Sequence, residues 1–244
     1  IRMIIPRHER TAVAIADAYT RCSMGLKNGV CLSQSQHGSQ NILGGLAQAY
    51  DDLSPILMLP NGVRMNQLDS RAWDSTKNLA CVVKWAARVN SATRVPELMR
   101  MAYTRLRTGR PSPVLLELMT DAMAQDIPDS GFDYEPVKGW KYAADPHDVE
   151  TAVRALLAAK HPLIYVGDGI FHANASNELL DFVELIQVPV ATNIKGKSAF
   201  PENHPLSVGM RGRAFWMCMG QADLVFGIGT SLSGSFSAPV PPGK

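Results

Sequence analysis

The sequence predicts an α/β fold built as two parallel-sheet, three-layer domains, and three observations carry that expectation. Apolar runs of strand length alternate with helical stretches along the chain, the order that builds parallel sheets covered on both faces. Several strands run into Gly, Asn or small polar residues just before a helix, as at 33–41 and 166–169. Between the halves, residues 124–144 lose periodicity and collect Pro128, Gly131, Pro136 and Gly139 among acidic side chains, the composition of an interdomain connection. The 244 residues leave room for roughly two domains of about 100 to 150 residues each. The expected boundaries are a first domain over 1–123, a linker over 124–144 and a second domain over 145–244.

Pro6-Arg7-His8-Glu9 opens a helix expected over 8–22. Val13, Ala14, Ile15, Ala18, Tyr19 and Cys22 fall on more than one of its sides, the pattern of a buried helix. Glu9 in its first turn would be stabilised by free backbone N–H groups and the helix dipole, so that carboxylate has a structural explanation as well as a chemical one. Met24-Gly25 and Asn28-Gly29 supply turn residues before a strand at 30–33. A polar loop over 35–41 then enters a helix over 42–53. Strand, glycine loop and helix N-terminus in that order mark where open α/β sheets hold ligands. Gly44 and Gly45 cost about 1 kcal/mol each in a helix interior, which either tight helix packing or an approaching ligand would explain.

A strand at 56–59 ends in Pro60-Asn61-Gly62, and a polar connection covers 64–78. Leu79-Ala80-Cys81-Val82-Val83 reads as the next strand, with a short amphipathic piece from Lys84-Trp85 after it. Pro96 and Gly109 frame a helix over 97–108, whose arginines form its wet face, and a strand at 113–118 closes the half. In the second half Asp145-Pro146 caps a helix through 159. Strands follow at 163–166, 188–191 and 222–229, with a helix over 177–187 and another closing at 217–221. This is a Rossmann-like unit without a full GxGxxG fingerprint, and residues 239–244 arrive before a sheet of ordinary size is complete.

Composition excludes several function classes. With 24 basic and 22 acidic side chains mixed along the chain, net charge is +2, and no electrostatic footprint argues for nucleic acid or a membrane surface. Cys22, Cys31, Cys81 and Cys218 form no CxxC pair; three sit in apolar segments and are expected to behave as small hydrophobes in a reducing, cytoplasmic setting, with no metal site. No apolar run reaches the length of a membrane span, and Ile1 begins without methionine, a charged leader or a cleavage pattern, so the chain reads as starting mid-domain.

Taken in order, the two halves resemble the thiamine-diphosphate-dependent enzymes of the acetolactate synthase group. Arg7-His8-Glu9 matches that family's Arg-His-Glu, and residues 14–21 look like its following helix. Residues 35–41 fall where the family commonly has SGPGATN, residues 45–51 with Ser54-Pro55 match what comes next, and residues 109–114 resemble its GRPGPV. Gly196-Lys197, Phe200-Pro201-Glu202, His204-Pro205-Leu206 and Ala222-Asp223-Leu224 with Gly227 resemble its middle domain in order and spacing.

The resemblance implies a domain that binds the cofactor's aminopyrimidine end, lacking its first strand, then a truncated Rossmann-like middle domain. Glu9 is by this resemblance the activating glutamate. Its hydrogen bond to the pyrimidine ring nitrogen favours the imino tautomer, whose exocyclic nitrogen can remove the thiazolium C2 proton. Burial beside the cofactor would raise its pKa. Gln36, His37, Gly38 and Asn41 are expected to face the cofactor, and Gly167, Gly169 and Gly227 to edge a nucleotide site holding FAD, ADP or nothing.

Gln36 and His37 replace the family's Gly-Pro, a change that bears on acceptor specificity. Ser70-Arg71 stands where acetolactate synthases carry Phe-Gln, and residues 231–235 replace aspartates that follow the last glycine strand. Gly167-Asp168-Gly169 imitates the diphosphate motif of the family's third domain, but the residues after it match the middle domain, so it reads as a strand-to-helix turn. Mg2+ and the diphosphate would then belong to a third domain not in these residues, and the chain alone is expected to be inactive. The resemblance further implies a 2-oxo acid substrate, decarboxylation with acyl transfer, and a homodimer or homotetramer. An acyl-CoA decarboxylase of the same superfamily and a noncatalytic nucleotide-binding module are the alternatives.

Overall fold

The computed structural model describes residues 2–69, 71–127, 134–140, 142–232 and 240. Of the positions singled out above, Ser70, Pro128, Gly131, Pro239, residues 233–235 and residues 241–244 lie outside the described residues. The chain divides into two compact units, residues 1–142 and 143–244.

In the first unit α1 (Glu9–Cys22) leads to β1 (Val30–Ser33), the short α2 (His37–Asn41), α3 (Leu43–Asp51) and β2 (Leu57–Pro60). After these come α4 (Ser75–Asn78), β3 (Trp85–Val89), α5 (Val95–Arg107), β4 (Val114–Leu118) and α6 (Thr120–Met123). All strands are parallel, in the order β1-β2-β4-β3. One face of the sheet buries Cys31, Met58 and Leu115 against Val13 of α1 and Leu46 of α3; the other buries Leu57, Val114 and Leu116 against Leu98 and Ala102 of α5. Strands with both faces covered read as unbroken apolar runs, which is why 57–59 and 114–116 were recognisable.

Four expectations need correction here. The buried stripe of α1 is Val13, Ala16, Asp17 and Thr20, while Ile15, Tyr19 and Cys22 are exposed, so α1 is one-sided. Two polar residues fill that stripe because each has a partner: Asp17 takes a bidentate pair from Arg21, and Thr20 Oγ1 donates to Ala16 O and accepts from Gly29 N–H. The run 79–83 is not a strand. Residues 80–82 form a 3-10 turn that inserts Leu79 and Val83 into the core, and the strand begins after Lys84, whose N–H donates to Pro113 O. The loop 35–41 is helical from His37 onward. Finally, Cys22 and Cys81 are exposed, Cys218 is half-buried, and only Cys31 behaves as a core residue, burial pushing its thiol up to about 11.

Of the two glycines of α3, Gly45 resolves in favour of helix packing, while a Cβ on Gly44 would meet nothing closer than Arg10 Nε at 3.8 Å. A Cβ on Gly45 would sit 3.0 Å from Val13 Cβ and 3.2 Å from Arg10 O, so α3 approaches α1 at backbone range. Gly29, just before β1, is tighter still: a Cβ there would stand 2.1 Å from Ala16 O, so the entry to the strand packs on the α1 backbone. At the end of α5, Gly109 takes φ +64°, and Lys84 Nζ donates to the carbonyls of Arg105, Thr108 and Arg110 at 2.6–2.8 Å. Arg105 stacks on Trp85 at 4.5 Å, which leaves this arginine half-sheltered on the face expected to be wet.

The second unit runs α7 (Pro146–Ala158), β5 (Pro162–Val166), α8 (Gly169–Ala173), α9 (Ser176–Ile186), β6 (Val190–Thr192), β7 (Ser207–Gly209), α10 (Arg213–Gln221) and β8 (Leu224–Ile228). Its sheet is also parallel, ordered β7-β6-β5-β8. Ile164, Val166 and Val190 face Val183 of α9, while Leu163, Tyr165 and Ala191 face Phe215 and Met219 of α10. Asp145 caps α7 by accepting the His147 N–H at 2.8 Å.

Candidate active site

Glu9 occupies the first turn of α1, immediately after His8, whose Nδ1 caps the helix by accepting the Arg10 N–H at 3.1 Å. Because α1 crosses the sheet face over β1, its N-terminus reaches the carboxyl end of that strand, where the chain turns into α2. There the Asn41 Nδ2 donates to Glu9 Oε2 at 3.1 Å, across 32 residues of sequence. Glu9 Oε1 lies beside Gly38, where an added Cβ would stand 3.5 Å from it and 2.9 Å from Gln34 Cβ. The turn therefore comes within contact range of one carboxylate oxygen, the absent Cβ of Gly38 being required by Gln34, while Asn41 holds the other oxygen.

Two further residues build the turn. Ser39, fully buried, donates to Gln34 O at 2.8 Å and meets Ser33 Oγ at 3.4 Å, closing the loop onto the strand end. Sequence reasoning passed over Ser39 and Gln34; two small polar residues bracketing a glycine after a strand were the available signal. Gln36 takes φ 59° and ψ −115°, a conformation that favours glycine and costs a side-chain-bearing residue about 1–3 kcal/mol. The strain falls at the position where the resembled family has glycine. His37 is exposed, its Nδ1 meeting Gln40 Oε1 at 3.4 Å. The structure thus brings Glu9, Gly38 and Asn41 together and leaves Gln36 half-buried and His37 exposed on the same turn.

The Glu9 carboxyl is open to solvent and its pKa is lowered, first by a hydrogen bond from its own backbone N–H and then by the Asn41 amide. The shift is opposite to the rise expected from burial, because no buried environment surrounds the group here. A lowered folded-state pKa keeps Glu9 ionised until pH falls through that value. Replacing Asn41 with Leu is expected to move the Glu9 titration back up toward an ordinary glutamate, read by carboxyl-carbon NMR. An unmoved titration would show that the Asn41 contact does not act on the carboxylate.

In the second unit, Gly167-Asp168-Gly169 joins β5 to α8. A Cβ on Gly167 would lie 2.4 Å from Gly229 O, one on Gly169 2.7 Å from Gly229 Cα, and one on Gly196 2.8 Å from Gly167 Cα. Asn193 ties the cluster by accepting the Gly196 N–H at 2.6 Å. These glycines are accounted for by backbones crowding one another at the strand ends. Gly227, within β8, meets Thr230 Cγ2 and Leu232 instead. Among the described residues no group of three His, Cys, Asp or Glu side chains could hold a metal ion, and no helix is long and apolar enough to cross a membrane.

Residues 1–79 match the family model for the N-terminal TPP binding domain of the thiamine pyrophosphate enzymes, and residues 149–242 match that for their central domain. The chain belongs to the thiamine pyrophosphate enzyme family. Its two parallel α/β sheets are those of the N-terminal and central domains of that family. Among its relatives are the glyoxylate carboligase of Escherichia coli O157:H7, 34% identical over 98% of this chain and 42% of that protein, and the acetolactate synthase of Arthrospira platensis, 33% identical over 87% and 38%. The acetolactate synthase large subunit of Haemophilus influenzae is 31% identical over 94% and 42%. The chain spans about two fifths of the length of the relatives it matches.

Proposed function

We propose that this chain forms the pyrimidine-binding and central domains of a thiamine-diphosphate-dependent enzyme that decarboxylates a 2-oxo acid and transfers the resulting acyl unit. The observation that carries this reading is the carboxylate of Glu9, anchored by Asn41 and open to solvent beside Gly38, at a strand end of the domain that matches a TPP-binding model. The donor set fits the group: one oxygen is held by the Asn41 amide, and the carboxyl is open to solvent, where a pyrimidine ring nitrogen can reach it. When bound, thiamine diphosphate would supply an acidic C2–H and an electron sink for the carbon left after loss of carbon dioxide.

The protein's part is to hold a proton on Glu9 at the pyrimidine nitrogen. Asn41 keeps the carboxyl oriented. A ring shielding Glu9 from water would favour its protonated form, against the low value of the open site. We place the diphosphate, its Mg2+ and a second subunit's contribution outside these residues, in a full-length homodimer or homotetramer working in the cytoplasm, and expect these residues alone to be inactive. The glycine turns of the second unit are the proposed edge of an FAD or ADP site.

Thermal unfolding of the full-length protein with thiamine diphosphate plus Mg2+, with FAD and with ADP, each added separately, tests this. A ligand at about 100 times its Kd stabilises by about 2.7 kcal/mol, enough to raise Tm measurably. Thiamine diphosphate with Mg2+ is expected to raise it. Stabilisation by a nucleotide alone would reject the reading in favour of a noncatalytic nucleotide-binding module.

A further inference from the structure

The connection between β2 and α4 is fastened at both ends to β4. At its start, Asn61 N–H donates to Ser33 O and Gly62 N–H to Leu118 O, at 2.9 and 2.8 Å, and Thr120 Oγ1 donates to Gly62 O at 2.9 Å. Gly62 lies so close that a Cβ there would stand 2.6 Å from Met119 Sδ and 3.2 Å from Glu117 Cγ. In the middle, Met65 N–H donates to the Asp121 carboxylate at 2.7 Å. At its end, Ser75 N–H donates to Glu117 Oε1 at 3.0 Å.

Glu117 is an acid in the middle of an apolar strand, with only 1% of its side chain exposed. Its other oxygen takes the Arg88 Nε–H at 2.7 Å, and Arg88 goes on to Thr76 Oγ1 at 2.9 Å and to the Asp74 carboxylate. A buried carboxylate is costly unless fully partnered. Here each partner either belongs to the tail of the connection or holds that tail in place.

The connection also borders the candidate site. Ser33, which receives the Asn61 N–H, precedes Gln34, and Gln34 Cβ touches Gly38 beside Glu9. Between the fastened ends the chain exposes Arg64, Asn66, Asp69 and Arg71. Asp69 folds this stretch over itself by accepting the N–H groups of Arg71 and Ala72 at 2.8 and 3.1 Å. Arg71 is paired with Asp69 at 3.5 Å, and Arg64 lies exposed in the same stretch. A loop that leaves the strand end next to the candidate site thus carries the guanidinium groups that recognition of an anionic oxo acid requires.

We infer that Glu117, acting with Arg88 and Asp74, is a positioning group for the 61–75 connection, and that this connection sets which oxo acid the cleft accepts. The clamp stands on geometry alone; what the loop faces rests on the proposed function. Glu117 touches no reacting atom.

The test uses the full-length protein as Glu117→Gln and Asp74→Asn. Gln retains an acceptor for Ser75 N–H but removes the buried charge. Asn retains the α4 cap but removes the outer ion pair. Removing Arg88 is avoided because it would leave the buried Glu117 carboxylate without its ionic partner. In both variants, hydrogen exchange of the 63–74 amides is expected to quicken about ten-fold while α1 and β4 amides hold.

With thiamine diphosphate and Mg2+, KM for glyoxylate and pyruvate is expected to rise about five-fold, unequally for the two acids, with exchange of the cofactor C2 proton unchanged. Unchanged amide exchange would overturn the clamp. Faster exchange with unaltered KM values would overturn its link to specificity, and equal loss of C2 exchange and substrate affinity would show a network serving the fold as a whole. A native protein without C2 exchange would instead sink the proposed function, leaving the amide result to decide the clamp.

Discussion

Replacing Glu9 with Gln in the full-length protein is expected to slow exchange of the bound cofactor's C2 proton, and turnover with it, by about 10²- to 10⁴-fold, the usual range for removing a general acid or base. The substitution is close to isosteric, and a glutamine oxygen can still accept from Asn41 Nδ2. What it loses is the capacity to hold a proton at the other oxygen, the one beside Gly38. Cofactor affinity should change little, because the diphosphate would be held elsewhere. The measurement is quenched-flow exchange of C2–H for deuterium followed by proton NMR, with affinity read from the thermal shift. Undiminished exchange would remove Glu9 from the mechanism. Loss of binding without a change in exchange per bound cofactor would reduce it to a contact residue.

Some of this architecture was readable from residues and some was not, and the division follows the range of the forces involved. Strands β2 and β4 were evident because both faces are covered and their sequences are continuously apolar. Strand β3 was misplaced because 79–83 is the more apolar run. Yet Leu79 and Val83 enter the core from a 3-10 turn, while the half-buried Trp-Ala-Ala-Arg-Val run pairs with β4. No local pattern encodes that choice, since the pairing partner lies 29 residues away at Glu117. The buried face of α1 was misread for a related reason. Periodicity treats Asp17 and Thr20 as surface residues, whereas Arg21 and Gly29 supply partners that let them face the core.

The candidate site divides the same way. Glu9 and the glycine turn stand out as residue types in order, and the Glu9–Asn41 bond joins two of the residues singled out. The closure by Ser39 and the clamp through Glu117 depend on distances that only the fold supplies. A single acid within Val-Leu-Leu-Glu-Leu was the one visible sign of the clamp, since a lone charge in a buried strand must find partners.

Gly29→Ala is expected to be the most damaging single substitution for stability in the first unit. A Cβ there would stand 2.1 Å from Ala16 O, 2.6 Å from Ala16 C and 2.7 Å from Ala16 Cα, all backbone atoms of α1, so no side-chain rotation relieves the clash. Neither chain is free to withdraw. Gly29 N–H is held by Thr20 Oγ1 at 2.7 Å and Gly29 O by Leu57 N–H at 2.9 Å, which fixes it between α1 and β2. The methyl group must displace α1 from the sheet, breaking these bonds and loosening the Val13 and Ala16 contacts. That places the loss near or above the upper end of overpacking costs, about 3 kcal/mol, with a fall in Tm on the order of 10 °C. Gly44→Ala is the control: its methyl would meet nothing closer than Arg10 Nε at 3.8 Å, and alanine favours the helix by up to about 1 kcal/mol. Calorimetry of the two variants side by side decides the matter, and equal melting temperatures would show that α1 does not pack on the β1 entry at backbone range. Because α1 carries Glu9 at its opposite end, Gly29→Ala should also loosen the Glu9–Asn41 contact, so any folded fraction would show a Glu9 titration shifted upward.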